Sequence, residues 1–289
     1  MRVVLFGANG QLGTDILKES SRLGYETYPL TLEDARIEKP EEVEAVLARI
    51  RPEIIINASA YTNVPGCETS LGDCFGVNAY GALHIAQQAR KLDCINIYFS
   101  TDYVFDGRKG SPYFETDSPN PVNAYGISKL AGELFTLNYS PNSLVIRVSG
   151  IYGVTPSMGK GTNFIYSILK VAKEKGLVSV VDDEFLSPAP TPLLAERLFD
   201  IIRAGETGVF HLGPSQGCSW FQFASVVFRE LGVTAELKKA SAKDFPSVVQ
   251  RPANSMLAMK RYQTLPAVRA LPDWEEALVY FLTTNTLNV

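Results

Sequence analysis

The sequence contains no run of 18 apolar residues and no apolar signal segment ahead of its first predicted strand. A helix that crosses a membrane needs about 20 consecutive apolar residues, and a secretory signal needs a long apolar centre. Residues 2–6 instead form a short apolar segment with the length of one buried strand. We therefore expect a soluble, cytoplasmic protein with no membrane partner.

Positive charge is also scarce. Lys and Arg total 27 against 31 Asp and Glu, which gives a formal net charge of -4, and the basic residues form no run. Nucleic acid binding depends on concentrated positive charge, so the composition argues against a nucleic acid partner. A local arginine site for a phosphorylated small molecule stays open.

Cysteine and histidine are few. The chain has four cysteines and two histidines, and their spacing fits neither a zinc site nor a redox motif. We predict four reduced thiols and no metal site. The residues concerned are Cys67, Cys74, Cys94, Cys218, His84 and His211.

What the sequence does contain, up to residue 150, is a regular alternation of short apolar segments and amphipathic segments. Such βαβ alternation predicts an α/β fold with a Rossmann-type, doubly wound parallel sheet. The predicted strands lie at 2–6, 26–30, 54–56, 94–100 and 144–148, and the predicted helices at about 11–23, 40–50, 71–91 and 123–138.

After residue 150 the alternation becomes less regular. Helices are predicted at about 162–175, 191–204 and 219–231, and short strands at 178–181 and 209–212. A chain of 289 residues accommodates one sheet domain and a smaller companion. We predict a dinucleotide-binding domain over 1–149, with returning elements near 178–205. A smaller mixed α/β domain over 150–289 would mainly bind the substrate.

Three glycines, Gly7, Gly10 and Gly13, follow the first predicted strand and open the first helix. Glycine permits a tight turn and a close approach of the backbone to a pyrophosphate, and the helix N-terminus offers free N–H groups to the phosphates. This pattern predicts a nicotinamide dinucleotide site. Residues 29–32, at the end of the second strand, carry neither the acidic residue that selects NAD nor a basic residue for a 2′-phosphate. We favour NADPH and leave NADH open.

Tyr125 and Lys129 are four residues apart in a predicted helix and therefore share one face. The ordinary tyrosine pKa of about 10 is too high for easy proton exchange at neutral pH, and a nearby ammonium group would lower the pKa of Tyr125. Thr101 follows the fourth predicted strand, at the edge where such sheets bind ligands. Its hydroxyl can hydrogen-bond a substrate carbonyl oxygen. We predict proton-transfer chemistry at this edge of the sheet.

These motifs resemble the dTDP-4-dehydrorhamnose reductase family, and the resemblance spans nearly the whole chain. The most specific segment is STDYVFDG at 100–107, whereas GANGQLG at 7–13 and YGISK at 125–129 belong to the wider short-chain dehydrogenase/reductase superfamily. Further matching segments are RPE at 51–53, NASAYT at 57–62, NPVNA at 120–124, LAGE at 130–133, NF at 163–164, VDD at 181–183, SW at 219–220, RPANS at 251–255 and LPDW at 271–274.

The resemblance implies a reductase of deoxysugar biosynthesis, which passes hydride from NADPH or NADH to the 4-keto group of a nucleotide-linked deoxysugar. It implies catalytic roles for Thr101, Tyr125 and Lys129, with Tyr125 as the proton donor, in a monomer or homodimer. The implied cofactor-binding residues are Gly7, Gly10, Gln11, Leu12, Gly13, Asp34, Ala58, Ser59, Ala60, Tyr61, Ser100, Tyr125 and Lys129. The implied substrate-binding residues are Thr101, Asp102, Tyr103, Gly150, Asn163, Arg251 and Asn254, of which Arg251 suits a diphosphate.

Four segments depart from the usual pattern of the family. Gly150 stands where the family usually has Trp, and such a Trp would pack on the sugar. Residues 64–68 (VPGCE) replace Val-Asp-x-Ala-Glu, residues 183–189 (DEFLSPA) replace Asp-Gln-x-Gly-x-Pro-Thr, and 154–161 is a few residues longer than typical. We therefore expect the same chemistry on a different keto sugar, and a wider pocket beside Gly150 unless the longer loop fills it.

Two other functions stay open on the same fold. A sugar-nucleotide epimerase or dehydratase would retain its NAD through turnover, so release of oxidised cofactor separates it from a reductase. A non-catalytic regulatory subunit, similar to the one that serves methionine adenosyltransferase, would bind a synthetase and turn over no keto sugar.

Overall fold

The computed structural model of the chain describes residues 1–156 and 161–287. Its strands are β1 Arg2–Phe6, β2 Glu26–Leu30, β3 Ile54–Asn57, β4 Ile95–Thr101, β5 Ser143–Val148, β6 Leu177–Val181, β7 Phe185–Leu186, β8 Gly208–His211, β9 Cys218–Ser219 and β10 Glu236–Ala240. Its α-helices are α1 Gln11–Arg22, α2 Pro40–Ile50, α3 Val64–Thr69, α4 Leu71–Phe75, α5 Gly81–Leu92, α6 Ala124–Tyr139, α7 Phe164–Lys175, α8 Thr191–Arg203, α9 Trp220–Leu231, α10 Lys260–Thr264 and α11 Trp274–Thr284.

Six strands form one sheet in the order β2-β1-β3-β4-β5-β8, and each neighbouring pair is parallel. The chain runs from β1 outward to β2 and then returns to β3 on the other side of β1. In open parallel sheets, ligands bind outside the carboxyl ends of the strands where the strand order reverses in this way. The predicted α/β fold with a doubly wound parallel sheet is confirmed.

The central strands are mainly apolar and almost entirely buried because helices cover both faces of the sheet. Successive side chains of a strand point to opposite faces. Val3 and Leu5 of β1 belong to a core shared with α1 and α8, whereas Val4 and Phe6 belong to a core shared with α2 and α5. Burial on two sides therefore explains the continuous apolar segments of the sequence.

The second half of the chain contributes to two different layers. Strands β6 and β10 form a parallel pair and β7 and β9 an antiparallel pair, beside an apolar core around Tyr152, Phe223 and Phe281. Strand β8 instead joins the large sheet next to β5, and α8 packs on α1. The boundary near residue 150 between a cofactor domain and a substrate domain remains a prediction.

The helix predicted at 71–91 is interrupted. A π-helical turn over Gly76–Tyr80 separates α4 from α5. The turn orients buried Asn78 so that its backbone carbonyl accepts a hydrogen bond from the Tyr98 hydroxyl at 2.7 Å. Gly132 of α6 permits this approach, because a Cβ at that position would lie within 3.0 Å of the Asn78 carbonyl oxygen. Such turns are frequent at functional sites, and this one supports the segment that follows β3.

Candidate active site

The glycine loop between β1 and α1 is shaped by two close backbone approaches. Gly7 has a φ of 75°, and a Cβ on Gly7 would lie within 3.0 Å of the Ser59 nitrogen. A Cβ on Gly13 would lie within 3.0 Å of the Gly7 carbonyl carbon and of Ala8. Both positions therefore require glycine for the fold itself.

Gly10 differs from its two neighbours. It precedes the first residue of α1 in an extended conformation, and among the described residues a Cβ there would meet only the Gly7 oxygen, at 3.2 Å. The first N–H groups of a helix have no partner within the helix. The loop thus leaves space beside Gly10 and the amides that follow it, which is the arrangement that receives a phosphate.

The side chain of Gln11 joins this loop to the second half of the chain, where Asn163 holds the neighbouring backbone. Gln11 Nε2 donates to the Ile151 carbonyl at 3.0 Å, and Asn163 Nδ2 donates to the Gly153 carbonyl at 2.8 Å. Asn163 also caps α7, since its Oδ1 accepts from the Tyr166 N–H at 3.1 Å. Asn163 was predicted to bind substrate, and its polar atoms here hold the backbone. Leu12 is buried in the core beneath the loop.

Asp34 lies on the exposed turn that follows β2. Its carboxylate accepts hydrogen bonds from the Thr31 N–H at 2.8 Å and from the Thr31 hydroxyl at 2.9 Å, and these bonds lower the pKa of Asp34. The carboxylate therefore closes its own turn. Its predicted position near the adenine stays a prediction.

The segment after β3, residues 58–61, is fixed by neighbouring amide side chains. The Ser59 N–H donates to Asn57 Oδ1 at 3.1 Å. The Tyr61 N–H donates to Asn78 Oδ1 at 2.9 Å, and Asn78 Nδ2 donates back to the Tyr61 carbonyl at 3.2 Å. Ala58 to Tyr61 were predicted as cofactor-binding residues. Their support from Asn78 was missed, because it depends on a π-helical turn that has no clear sequence signal.

Thr101 and Tyr125 meet at the carboxyl end of β4. The Thr101 hydroxyl donates to Asp102 Oδ1 at 3.1 Å and accepts from the Tyr103 N–H at 3.2 Å. The rings of Tyr103 and Tyr125 are 5.8 Å apart, edge to face. The structure therefore brings together the predicted proton donor and the predicted hydroxyl partner.

The pKa of Tyr125 is raised, which differs from the sequence-based expectation of a lowered pKa. Burial raises it most, and the negative charge of Asp102 raises it further. Tyr125 is therefore a neutral phenol at neutral pH. A neutral phenol is the form that can donate a proton during ketone reduction.

Lys129 lies one helical turn after Tyr125 and is almost fully buried. Its Nζ donates to the Phe99 carbonyl at 2.6 Å and lies 4.1 Å from the centre of the Tyr98 ring. Burial lowers the pKa of Lys129 to about 7, against the opposing charge of Glu133. The ammonium is thus held on β4, and burial rather than an ion pair dominates its proton affinity.

Asp102 is buried within a set of hydroxyl donors. Besides Thr101, the Ser149 hydroxyl donates to Asp102 Oδ2 at 2.8 Å and the Ser255 hydroxyl donates at 2.5 Å. Burial raises the pKa of Asp102 and the hydroxyl groups oppose that rise. Asp102 was predicted to line the substrate cleft. That role stays a prediction; in the structure its oxygen atoms accept hydrogen bonds from protein hydroxyls, and no local pattern predicts the contact with Ser149, which spans 47 residues.

Ser100 belongs to a second buried polar cluster. Its hydroxyl donates to Glu133 Oε1 at 2.5 Å, and Arg147 binds the same carboxylate through two hydrogen bonds, at 2.8 and 2.6 Å. Ser100 was predicted as a cofactor-binding residue. In the structure its hydroxyl connects β4 to a bidentate ion pair between α6 and β5 that sequence reasoning missed.

Arg251 lies on the rim of the same edge of the sheet. Its charge lowers the pKa of Tyr103, against the larger raising effect of burial, and it opposes the burial that raises the pKa of Glu184. Arg251 is exposed, so a diphosphate could reach it. Asn254 is turned to the backbone, since its Oδ1 accepts from the Met256 N–H at 3.2 Å.

The open space expected beside Gly150 is not present. Gly150 has a φ of 50°, and a Cβ built on it would lie within 3.0 Å of the Leu186 Cδ1 methyl group. Leu186 is 5% exposed and fills the volume that the missing side chain would leave. Part of the longer loop at 154–161 falls on residues 157–160, outside the described residues.

Cys67 and Cys74 are in contact, although their spacing of seven residues gave no such signal. Their Sγ atoms are 2.7 Å apart, and the Cys74 thiol donates to the Ser128 hydroxyl at 3.2 Å. All four cysteines are free and buried. The two thiols form a small cluster against Tyr125, so they support the wall behind the predicted proton donor.

Two negative findings apply to residues 1–156 and 161–287. No cluster of three or more His, Cys, Asp or Glu side chains there could hold a metal ion. In the same part of the chain, every helix is too short or too polar to cross a membrane.

Comparison with known proteins gives a consistent family assignment. The family model of the RmlD substrate binding domain matches residues 1–287. The spore coat polysaccharide biosynthesis protein SpsK of Bacillus subtilis (strain 168) is 31% identical over 281 residues, covering 97% of this chain and 96% of SpsK. The dTDP-4-dehydrorhamnose reductase of Escherichia coli (strain K12) is 34% identical over 289 residues, covering 95% of each protein.

A solved structure is similar over the whole length. The dTDP-4-dehydrorhamnose reductase of Bacillus anthracis str. Ames, determined in complex with NADP, has a TM-score of 0.92 and 32% sequence identity. The match covers 98% of this chain and 99% of that one. The likeness therefore includes both halves of the chain and the edge of the sheet where Thr101 and Tyr125 meet.

Proposed function

Because the chain belongs to the RmlD substrate binding domain family, we propose that it is an NADPH-dependent reductase of a nucleotide-linked 4-keto-6-deoxyhexose. The observation that carries this proposal is the arrangement at the carboxyl end of β4, where the Tyr103 N–H donates to the Thr101 hydroxyl and the Tyr103 ring contacts the ring of the neutral Tyr125 edge to face. Lys129 is buried one helical turn away. Thr101, Tyr125 and Lys129 together provide the groups that reduction of a keto sugar requires.

The glycine loop fits a dinucleotide. The space beside Gly10 and the N-terminal amides of α1 would receive the pyrophosphate. When bound, NADPH supplies the hydride. The Asp34 carboxylate is tied to Thr31, and no acidic residue occupies 29–32, so the turn lacks the usual device that rejects a 2′-phosphate. We therefore favour NADPH, with NADH as a second donor.

Tyr125 acts as the general acid and donates its phenolic proton to the carbonyl oxygen at C4 of the sugar. The Thr101 hydroxyl turns its proton from Asp102 to the same oxygen as that oxygen gains negative charge. Lys129 would hold the nicotinamide ribose, and it restrains the end of β4 through the Phe99 carbonyl. Arg251 pairs with the diphosphate through its planar guanidinium.

The remaining parts of the proposal concern the location of the enzyme, its oligomeric state and its pathway. We place the enzyme in the cytoplasm, as a monomer or homodimer, and assign it to deoxysugar biosynthesis. The name of the Bacillus subtilis relative, a spore coat polysaccharide protein, supports a product that enters a polysaccharide. Light scattering on the purified chain decides between monomer and homodimer.

The test is a panel of nucleotide 4-keto sugars that includes dTDP-4-dehydrorhamnose, with NADPH and NADH as donors. The absorbance of the reduced cofactor and the reduced sugar product are measured together, and Tyr125→Phe is the matched control. We expect one product molecule for each NADPH consumed. Sugar conversion without net cofactor consumption would indicate an epimerase or dehydratase. Absence of turnover on the whole panel would favour a regulatory subunit.

A further inference from the structure

Asp102 is a buried carboxylate without a cationic partner. The residue is 4% exposed, and among the residues that the structure describes no Lys, Arg or His side chain forms an ion pair with it. Hydroxyl groups surround the carboxylate instead. Burial of a carboxylate without an opposite charge costs folding free energy. Stability alone therefore does not explain Asp102, and buried charged groups of this kind are frequent at functional sites.

The two oxygen atoms of the carboxylate have different partners. Oδ1 accepts a hydrogen bond from the Thr101 hydroxyl at 3.1 Å. Oδ2 accepts two, from the Ser149 hydroxyl at 2.8 Å and from the Ser255 hydroxyl at 2.5 Å. Hydrogen bonds to a charged acceptor are stronger than those between neutral groups. Oδ2 therefore keeps two strong hydrogen bonds even when Oδ1 loses its donor.

Both serines are themselves held by the backbone around β7. The Ser149 hydroxyl accepts from the Ser187 N–H at 3.3 Å, and the Ser255 N–H donates to the Phe185 carbonyl at 2.9 Å. Ser149 and Ser255 are also buried. The orientation of the carboxylate is thus fixed by two segments that lie far from Asp102 in the chain.

The oxygen atom of the Thr101 hydroxyl is fixed as well, whereas its proton can turn. The oxygen accepts from the Tyr103 N–H at 3.2 Å, and the proton points to Asp102. A hydroxyl group has one proton and two acceptor lone pairs, and rotation about its C–O bond moves the proton alone. A substrate oxygen that gains negative charge can therefore receive this hydrogen bond without any movement of the Thr101 oxygen.

We propose that Asp102 is a positioning residue of the reduction, whose Oδ1 holds the Thr101 hydroxyl until the carbonyl oxygen of the sugar gains negative charge. This role rests on the proposed reductase function. When the hydroxyl proton turns to the substrate, Ser149 and Ser255 still stabilise the carboxylate through Oδ2. The step is a rotation, so Asp102 neither gains nor loses a proton. Asp102 acts through Thr101 and requires no contact with the sugar.

The experiment is a double-mutant cycle of wild type, Asp102→Asn, Thr101→Val and the combined variant. Each protein is assayed with NADPH and with the 4-keto sugar of the panel that wild type reduces fastest. An amide accepts through one oxygen only, so Asp102→Asn cannot bind donors on both sides. Its kcat should fall at least about tenfold, as expected when a hydrogen bond to a charged group is lost. The KM values for the sugar and for NADPH should stay within twofold of wild type.

The combined variant separates positioning from a general loss of structure. Thr101→Val removes the hydroxyl through which Asp102 acts, so the kcat of the combined variant should match that of Thr101→Val within twofold. Independent losses would instead multiply. Ser255→Ala is a milder variant that keeps the carboxylate. Its kcat should fall about threefold, because a carboxylate with one donor fewer holds the Thr101 proton more tightly.

Asp106→Asn is the matched control. Asp106 follows in the same segment, and its carboxylate accepts from the Tyr113 hydroxyl at 2.7 Å and from Asn120 Nδ2 at 3.1 Å. The variant should lower the melting temperature and leave kcat within twofold of wild type. A loss of kcat equal to that of Asp102→Asn would overturn the positioning role, because removal of either carboxylate would then have the same effect.

The outcomes separate this role from the function on which it rests. If wild type reduces no sugar of the panel, the reductase proposal fails and the role of Asp102 fails with it. If wild type is active and Asp102→Asn keeps its kcat within twofold, or if the losses multiply in the combined variant, only the positioning role is overturned. If Asp102→Asn does not fold, an unchanged kcat in Ser255→Ala overturns that role.

Discussion

At the residue scale, Tyr125 allows the most direct test of the proposed mechanism. Tyr125→Phe removes the phenolic proton and keeps the ring, so the edge-to-face contact with Tyr103 remains. We expect the variant to bind NADPH normally and to lose turnover by about 10²–10⁴-fold, the usual worth of general acid catalysis. Fluorescence titration of NADPH and steady-state rates measure the two effects. Activity within twofold of wild type would remove Tyr125 from the mechanism.

Lys129 gives a second prediction, which concerns stability against pH. Burial lowers its pKa from 10.5 to about 7 in the folded protein. Between these values the unfolded chain binds the extra proton, so the free energy of unfolding rises with pH through this window. From pH 7 to pH 9.5, wild type should gain roughly 3 kcal/mol relative to Lys129→Met.

Urea unfolding of the two proteins at both pH values measures this difference. The comparison with Lys129→Met cancels the other groups that titrate in the same range, such as the buried cysteines. Parallel pH profiles for the two proteins would show that Lys129 is not the buried cation described here. Because Lys129 also holds the nicotinamide ribose in the proposal, the Met variant should lose NADPH affinity as well as rate.

The sequence pointed to single residues, but it did not predict the side chains that hold them in place. The spacing of Tyr125 and Lys129 and the position of Thr101 after a strand pointed to one edge of the sheet, where Tyr125 and Thr101 meet. The hydroxyls of Ser149 and Ser255 on Asp102 come from distant parts of the chain. No local pattern encodes such contacts, and the contact between Gly150 and Leu186 was not predicted for the same reason.

At the scale of elements, the glycine loop permits a comparison between two of its glycines. Gly10→Val points a side chain into the space proposed for the pyrophosphate, and the nearest protein atom to its Cβ is 3.2 Å away. The variant should fold with a melting temperature near that of wild type and lose measurable NADPH binding. An unchanged affinity in folded Gly10→Val would contradict the placement of the pyrophosphate.

Gly13→Ala provides the contrasting case in the same loop. Its Cβ would lie within 3.0 Å of the Gly7 carbonyl carbon and Ala8 Cα, so α1 must move away from β1. We expect a clear fall in the melting temperature even without cofactor. Calorimetry of both variants without cofactor checks the comparison. Equal melting temperatures would show that Gly13 is not required for the fold more than Gly10 is.

Helices and strands with a regular apolar pattern were predicted, whereas strands that are very short or lack such a pattern were not. The strands β1 and β3 were expected because burial on two faces leaves continuous apolar segments. Strands β7 and β9 have two residues each, which is too short for any periodicity. Strand β10 has the sequence ELKKA, and its charged residues leave no apolar pattern that would predict a strand. Its pairing with β6 is a tertiary effect that local propensity does not contain.

At the scale of the whole molecule, hydrogen bonds from α1 and its loop connect the two halves of the chain. Gln11 binds the Ile151 carbonyl, and Thr191, at the start of α8, donates to Asp15 Oδ2 at 2.6 Å. Both Asp15 and Thr191 are buried. The helix whose N-terminus would receive the pyrophosphate is thus hydrogen-bonded to α8. The cofactor site and the packing of α8 therefore depend on the same hydrogen bond.

Thr191→Val tests that support with little change in shape. The substitution removes the hydroxyl donor and leaves a buried carboxylate with Lys18 as its remaining ion-pair partner. Loss of a hydrogen bond to a buried charged group costs about 1.5–3 kcal/mol, and in a protein of this size each kcal/mol lowers the melting temperature by roughly 2–4 °C. Thr264→Val is the matched control, because that exposed hydroxyl only binds the Arg261 carbonyl, and it should change stability by less than about 0.5 kcal/mol.

Since α1 also carries the proposed pyrophosphate site, NADPH at 100 times its Kd should add about 2.7 kcal/mol to the stability of wild type. The same concentration should stabilise Thr191→Val less, as its affinity falls. Equal melting temperatures for wild type and Thr191→Val would show that the bond between α1 and α8 does not support the fold, and an equal NADPH-induced shift in both would show that it does not support the cofactor site.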